Sequence, residues 1–119
     1  MSLIPFATID PYETVHVNPD EIFAFRAEEQ TPEDDTVLLA DATQSILILA
    51  PVAAVSAKLG SEFRRLDTAS KSPQPVYINR NRVLHVLPHP QVKDVCLVHG
   101  LGRRIAVRGA LADVVKALA

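Results

Sequence analysis

Four arginines in the second half of this chain, Arg80, Arg82, Arg103 and Arg104, lie in or beside two turn sequences. Guanidinium groups keep their charge at any ordinary pH and make paired contacts with phosphate or carboxylate oxygens. Drawn to one place they repel one another, unless an anion or an acidic surface offsets them. The first half carries the opposite sign at the matching positions, Asp20, Glu21 and Asp41. The split runs through the whole chain. Residues 1–60 hold ten acidic and two basic side chains, net −8, and residues 61–119 hold four and ten, net +6. Such asymmetry bears on partners rather than on fold. It predicts an anion or acidic-partner site at Arg80, Arg82, Arg103 and Arg104, and a complementary acidic tip at Asp20, Glu21 and Asp41.

Other chemistry finds less support. His85, His89, Cys96 and His99 have zinc-ligand types, but Cys96 and His99 are three apart in a strand and face opposite sides. His89 stands between Pro88 and Pro90, outside the strand of His85. Zinc needs about four converging N or S ligands, so no metal is expected. No nucleophile elbow, HExxH, Walker loop or dinucleotide fingerprint occurs. An enzyme is not expected, nor are a cofactor or a small-molecule substrate. The acidic run at Glu28–Glu29 and Glu33–Asp35 reads as a solvated, mobile loop. Gly100-Leu101-Gly102 joins strand to strand, a hairpin turn in which Gly supplies a positive φ.

The elements that must position these residues follow one template twice. Val15-His16-Val17-Asn18 matches Val76-Tyr77-Ile78-Asn79, and Ile22-Phe23-Ala24-Phe25 matches Val83-Leu84-His85-Val86. Val37-Leu38-Leu39 then meets Cys96-Leu97-Val98, and Ile46-Leu47-Ile48 meets Ile105-Ala106-Val107. Strands are predicted at Glu13–Asn18, Ile22–Ala27, Thr36–Asp41 and Ser45–Leu49. A helix follows Pro51, with Val52, Val55 and Leu59 at helical spacing. Gly60 is its C-cap, or Phe63 and Leu66 extend its stripe. The second set is Pro75–Asn79, Arg82–Leu87, Asp94–His99 and Arg103–Arg108, with a helix from about Ala110 presenting Leu111, Val114, Val115 and Leu118.

The expected fold is therefore α+β. Two pseudo-symmetric ββββα repeats, each an antiparallel meander plus a helix, occupy about 11–60 and 75–119, with a linker at about 61–74. Neither repeat is long enough to hold a core alone, so residues 1–119 should form a single domain with one shared core. Ile22, Leu38, Ile46, Val83, Leu97, Ile105 and Val114 should lie within it. In a four-strand meander the first and third turns fall at one end, which would gather the four arginines on one tip and the acids on the other.

A hydrophobic fraction of 48% in 119 residues leaves apolar surface for another subunit, so an oligomer is expected. The lone Cys96 fits a reducing, cytoplasmic setting. No apolar run approaches the ~20 residues of a membrane span, and the start lacks the basic segment of a secretory signal.

Two resemblances add to this. Val17-Asn18-Pro19-Asp20-Glu21-Ile22, Asp35-Thr36-Val37, the hairpin and the terminal helix resemble the bacterial FlbD-like family linked to flagella and swarming. Ile78-Asn79-Arg80-Asn81-Arg82-Val83, Gly102 and Val114-Val115 match a second time. The resemblance implies a tandem duplication and a non-enzymatic interaction role. The second half also resembles the distal part of LytTR-type DNA-binding domains, through Phe63-Arg64-Arg65, Ile78-Asn79-Arg80-Asn81-Arg82-Val83 and Ala106-Val107-Arg108. That resemblance implies DNA contacts from Arg64, Arg65 and Arg108. Leu66–Pro75 stands where that family has a His-Arg-Ser segment.

The sequence thus predicts a non-catalytic assembly module, self-associating or binding an acidic protein surface. A LytTR-like DNA-binding regulator using the basic half is the alternative.

Overall fold

The structure, a computed structural model, describes residues 3–119; the first two residues of the expected 1–119 unit lie outside it. One order of elements runs twice. It opens with the strands β1 (Ile4–Ala7) and β2 (Thr14–Val17), a 3-10 turn at Pro19–Glu21, then β3 (Ala24–Ala27), β4 (Thr36–Leu39), β5 (Ser45–Ile48) and helix α1 (Val52–Leu59). The second pass has β6 (Phe63–Asp67), β7 (Pro75–Asn79), a 3-10 turn at Arg80–Arg82, β8 (His85–Pro88), β9 (Val95–Gly100), β10 (Arg103–Arg108) and α2 (Leu111–Ala117). Among the described residues no helix is long and apolar enough to cross a membrane.

The α+β class stands, and every predicted strand is present. The pairing differs from two four-strand meanders. β2 pairs with β1, not β3, and β7 pairs with β6, not β8. Each 3-10 turn is a corner that carries the chain from one sheet to another. Asn18 and Asn79 start these corners, each accepting from the backbone N–H two residues on at 3.0 Å. Pro19, with its fixed φ and no N–H, suits the first position of the turn it opens.

Three antiparallel sheets result: β1-β2 alone, β10-β9-β8, and a five-stranded sheet ordered β5-β4-β3-β7-β6. The last is assembled from both halves, because β3 pairs with β7 in the register Ala24↔Ile78, Phe25↔Tyr77 and Arg26↔Val76. β6 falls in the segment expected to be linker. Gly60, at φ +93°, ends α1 in a conformation that favours glycine, so Phe63 and Leu66 enter a strand instead of prolonging the helical stripe.

The expected single core is replaced by two, one on each face of the five-stranded sheet. Side chains alternate across a strand, so Phe25, Leu38, Ile48 and Phe63 face one way and pack with Phe6, Val17, Val55 and Leu59 of β1-β2 and α1. Ala24, Val76 and Ile78 face the other way and pack with Cys96, Val98, Val107, Val114 and Leu118. Ile22, Leu38 and Val114 are buried as expected, while Ile46, Val83, Leu97 and Ile105 are only half-buried. Leu97 alternates with buried Cys96 and Val98 and so lies on the outer face of the three-stranded sheet.

Candidate functional site

The two corners lock together. Asn79 is almost wholly buried, and its Nδ2 donates to the carbonyl oxygens of Pro19 at 3.2 Å and Ile22 at 3.0 Å. Its backbone N–H donates to Phe23 O at 2.7 Å. Arg82 Nε adds a bond to Asp20 O at 2.6 Å. Gly100 closes the same region, since a Cβ there would collide with the carbonyl oxygen of Arg82 and the ring of Phe23. Asn79 opens a turn in sequence, and its reach across 57 residues to Ile22 has no local signal.

The two turns of opposite charge also meet inside one chain. Arg103 Nη2 donates to Gln44 O at 2.7 Å, joining the β9–β10 turn to the β4–β5 turn. Leu101 and Gly102 make that hairpin tip with φ of +47° and +77°. Asp41 accepts from Thr43 N, Thr43 Oγ1 and Gln44 N at 2.9, 3.1 and 3.0 Å. These bonds, with a smaller contribution from the Arg103 charge, hold its carboxyl below the ordinary range. The expected pair of separate tips is therefore corrected. Acidic and basic turns are neighbours here, because the corner folds one half back against the other.

The four arginines lie toward this end but do not act alike. Arg80 Nε pairs with Glu62 Oε2 at 2.7 Å, and Asn81 Nδ2 donates to the same oxygen at 3.0 Å. Both bonds hold Glu62 below the usual carboxylate range. Arg82 is committed to the Asp20 carbonyl. Arg103 and Arg104 are consecutive strand residues on opposite faces. Arg104 pairs across the ladder with His99, which pairs in turn with His85. The two imidazoles lie 4.4 Å apart between centroids, and burial, then His85 and Arg104, push the His99 pKa below its ordinary value. Period-2 alternation correctly separates Cys96 from His99. Burial and then Asp94 push the Cys96 thiol up.

The other end of the three-stranded sheet gathers the segment after β6. Thr68 bridges Val107, Ala69 N donates to Ala106 O at 3.0 Å, and Arg108 Nη2 donates to Ser70 O at 3.0 Å. Of the residues singled out for DNA, Arg108 is exposed here. Arg65 is exposed on β6, 3.7 Å from Asp67. Arg64 turns to the opposite face of β6, half-buried, on the side of Leu66. A cleft at this end has Arg26, Glu28 and Glu29 on one wall and Thr68, Ser70 and Gln74 on the other. The acidic run is largely exposed, as expected of a solvated loop, and carries local hydrogen bonds of its own. The Glu28 carboxylate accepts from Glu29 N at 2.9 Å and Gln30 N at 3.1 Å, and Thr31 Oγ1 donates to Asp35 Oδ2 at 2.7 Å.

No protein-family model matches the chain. No curated protein matches it either. Among solved structures, a LytTr DNA-binding domain from Bacillus cereus has a similar fold, with a TM-score of 0.64 over 99% of this chain and 96% of that one, at 14% identity. The likeness extends the resemblance of the second half to the architecture of both halves. An FlbD-like duplication has no counterpart in these comparisons.

Proposed function

We propose that residues 1–119 form one non-catalytic DNA-binding domain of the LytTR kind. The observation that carries this reading is the near end-to-end match to a domain of that kind. It is favoured over charge-driven assembly because the acidic and basic turns, which were to join neighbouring chains, are engaged with each other. The exposed cations Arg65, Lys71 and Arg108 belong to β6, the segment after it and the strand end that segment touches. They are the proposed phosphate contacts. Arg64 offers less, with its Nε buried.

The test is anisotropy of a labelled duplex against the full chain from 50 to 200 mM salt. Each phosphate neutralised by a cation contributes a slope of about −0.9 in log K against log salt. Arg108→Gln should weaken binding to all sequences and reduce that slope by about one. Affinity that ignores salt, or no affinity at 50 mM, overturns the reading. Self-association keeps one specific observation: Leu84 and Leu87 are 80% and 45% exposed beside the edge of β8, which has no partner strand among the described residues. Light scattering without nucleic acid would show it as a mass above one chain.

A further inference from the structure

At the corner end of the three-stranded sheet, away from Arg108 and the segment after β6, a second cleft is lined by Leu84, His99, Gly100, Gly102, Arg103 and Arg104. Two of its lining residues share an unusual feature. His99 Nε2 and Arg103 Nε are both buried with no hydrogen-bond partner among the described residues. Native proteins rarely leave a buried polar nitrogen unpaired without a functional or solvent explanation, and here two belong to residues that line one cleft. Arg103 is fixed in place by its Nη2 bond to Gln44 O. Arg104 is exposed and forms no ion pair among the described residues. The other charged and titratable groups near the cleft are His85, across β9 from Arg104, Arg82, whose backbone lies against Gly100, and Asp41, near Arg103. Asp41 keeps its negative charge and offsets one guanidinium, and the remaining guanidinium leaves the cleft cationic.

From this geometry we infer that the cleft binds a phosphate group, met by Arg104 and His99 from the outer face of the sheet and by Arg103 from the hairpin end. A tetrahedral oxyanion offers oxygens in enough directions for two guanidinium groups and an imidazole, and Arg binds phosphate through directed N–H pairs. His99 suits the role in the empty state. Burial, then His85 and Arg104, lower its pKa, which disfavours a third positive charge in the free cleft. A bound anion reverses that balance and draws the imidazole toward protonation. The phosphate could belong to a small phosphorylated molecule or to a nucleic-acid backbone. The chemistry is shared, and the inference does not rest on the DNA reading.

The test is an NMR titration of the full chain with inorganic phosphate at pH 7, against sodium chloride of equal ionic strength. The His99 imidazole and the Arg103 Nε–Hε group are the reporters. Saturable shifts at both are expected, with half-saturation on the order of millimolar and a rise in the His99 titration midpoint. Arg104→Gln should weaken the response about tenfold, the usual effect of removing a charge-assisted hydrogen bond, with Arg104→Lys in between. Arg108→Gln should leave it unchanged, which separates this cleft from the surface proposed for DNA. A duplex that shifts the same reporters and competes with phosphate identifies a backbone phosphate as the source. A duplex that binds without shifting them identifies a small phosphorylated ligand, provided inorganic phosphate does shift them. If neither phosphate nor duplex shifts His99 saturably, or if Arg104→Gln binds as well as the parent, the site does not exist.

Discussion

β3 and β8 follow corresponding corners and carry the same apolar template, yet one lies in the middle of a sheet and the other at an edge. β3 has β4 on one side and β7 on the other, while β8 has only β9 among the described residues. Burial follows the partners. Phe23 has no exposed surface, and its template counterpart Leu84 is 80% exposed. Ala24 is buried and its counterpart His85 is exposed. A run of apolar residues describes what a strand could bury, and the neighbours decide what it does bury. On β8 the uncovered face carries His85 beside His99 and Arg104, so the half that gained no extra strand is the half that leaves these side chains uncovered.

The strongest way to break this comparison is truncation at the matched positions. Phe23→Ala should cost about 3–5 kcal/mol of unfolding free energy, the range for a buried aromatic. Leu84→Ala should stay within about 0.5 kcal/mol, as exposed substitutions do. Denaturant melts of both variants measure the difference, and equal losses would refute it. The corners come next. Asn79→Ala removes a turn cap and leaves the carbonyls of Pro19 and Ile22 unpaired, for a loss of about 2–4 kcal/mol. Asn18→Ala removes a cap alone and should cost about 1 kcal/mol.

A third test concerns the segment after β6. Glu28→Gln with Glu29→Gln takes two negative charges from the wall facing Thr68 and Ser70, and duplex affinity at 50 mM salt should rise several-fold through weaker repulsion. Unchanged affinity would refute the surface proposed for DNA. The smallest expected effect is on pH dependence. His99 titrates below its ordinary value of 6.5 in the folded chain, so the unfolded chain binds more protons as pH falls through that value. The contribution of His99 to stability is therefore full above about pH 6.5 and is lost as pH falls toward its lower folded pKa. Melts from pH 7.5 to 5 should show a decline that His99→Gln reduces.

Local signals carried much of this architecture. Asn18-Pro19 and Asn79-Arg80 mark the corners, Pro51 and Gly60 bracket α1, and Gly100-Leu101-Gly102 marks a hairpin. Two strands were not legible. β1 is four residues with Pro5 inside it, and β6 reads Phe-Arg-Arg-Leu-Asp, where charge masks the alternation. Pairing was illegible for a different reason: Ala24 finds Ile78 from 54 residues away, and nothing near either residue records it. The same holds for the site. Arginine composition points to an anion, but only the fold shows that Arg80 and Arg82 are occupied, and that His99, first met as a possible zinc ligand, stands next to Arg104.

The β3–β7 pairing also has a consequence during synthesis. When the ribosome has made residues 1–60, β3 has β4 beside it, but its other edge and the face bearing Ala24 have nothing to meet until β7 to β10 emerge. A growing chain at that stage presents an open strand edge, the usual template for association between chains. Long-range closure of this kind is also slow. Residues 1–60 expressed alone should collect in the insoluble fraction, and the full chain should reach its native state only after β7 leaves the exit tunnel.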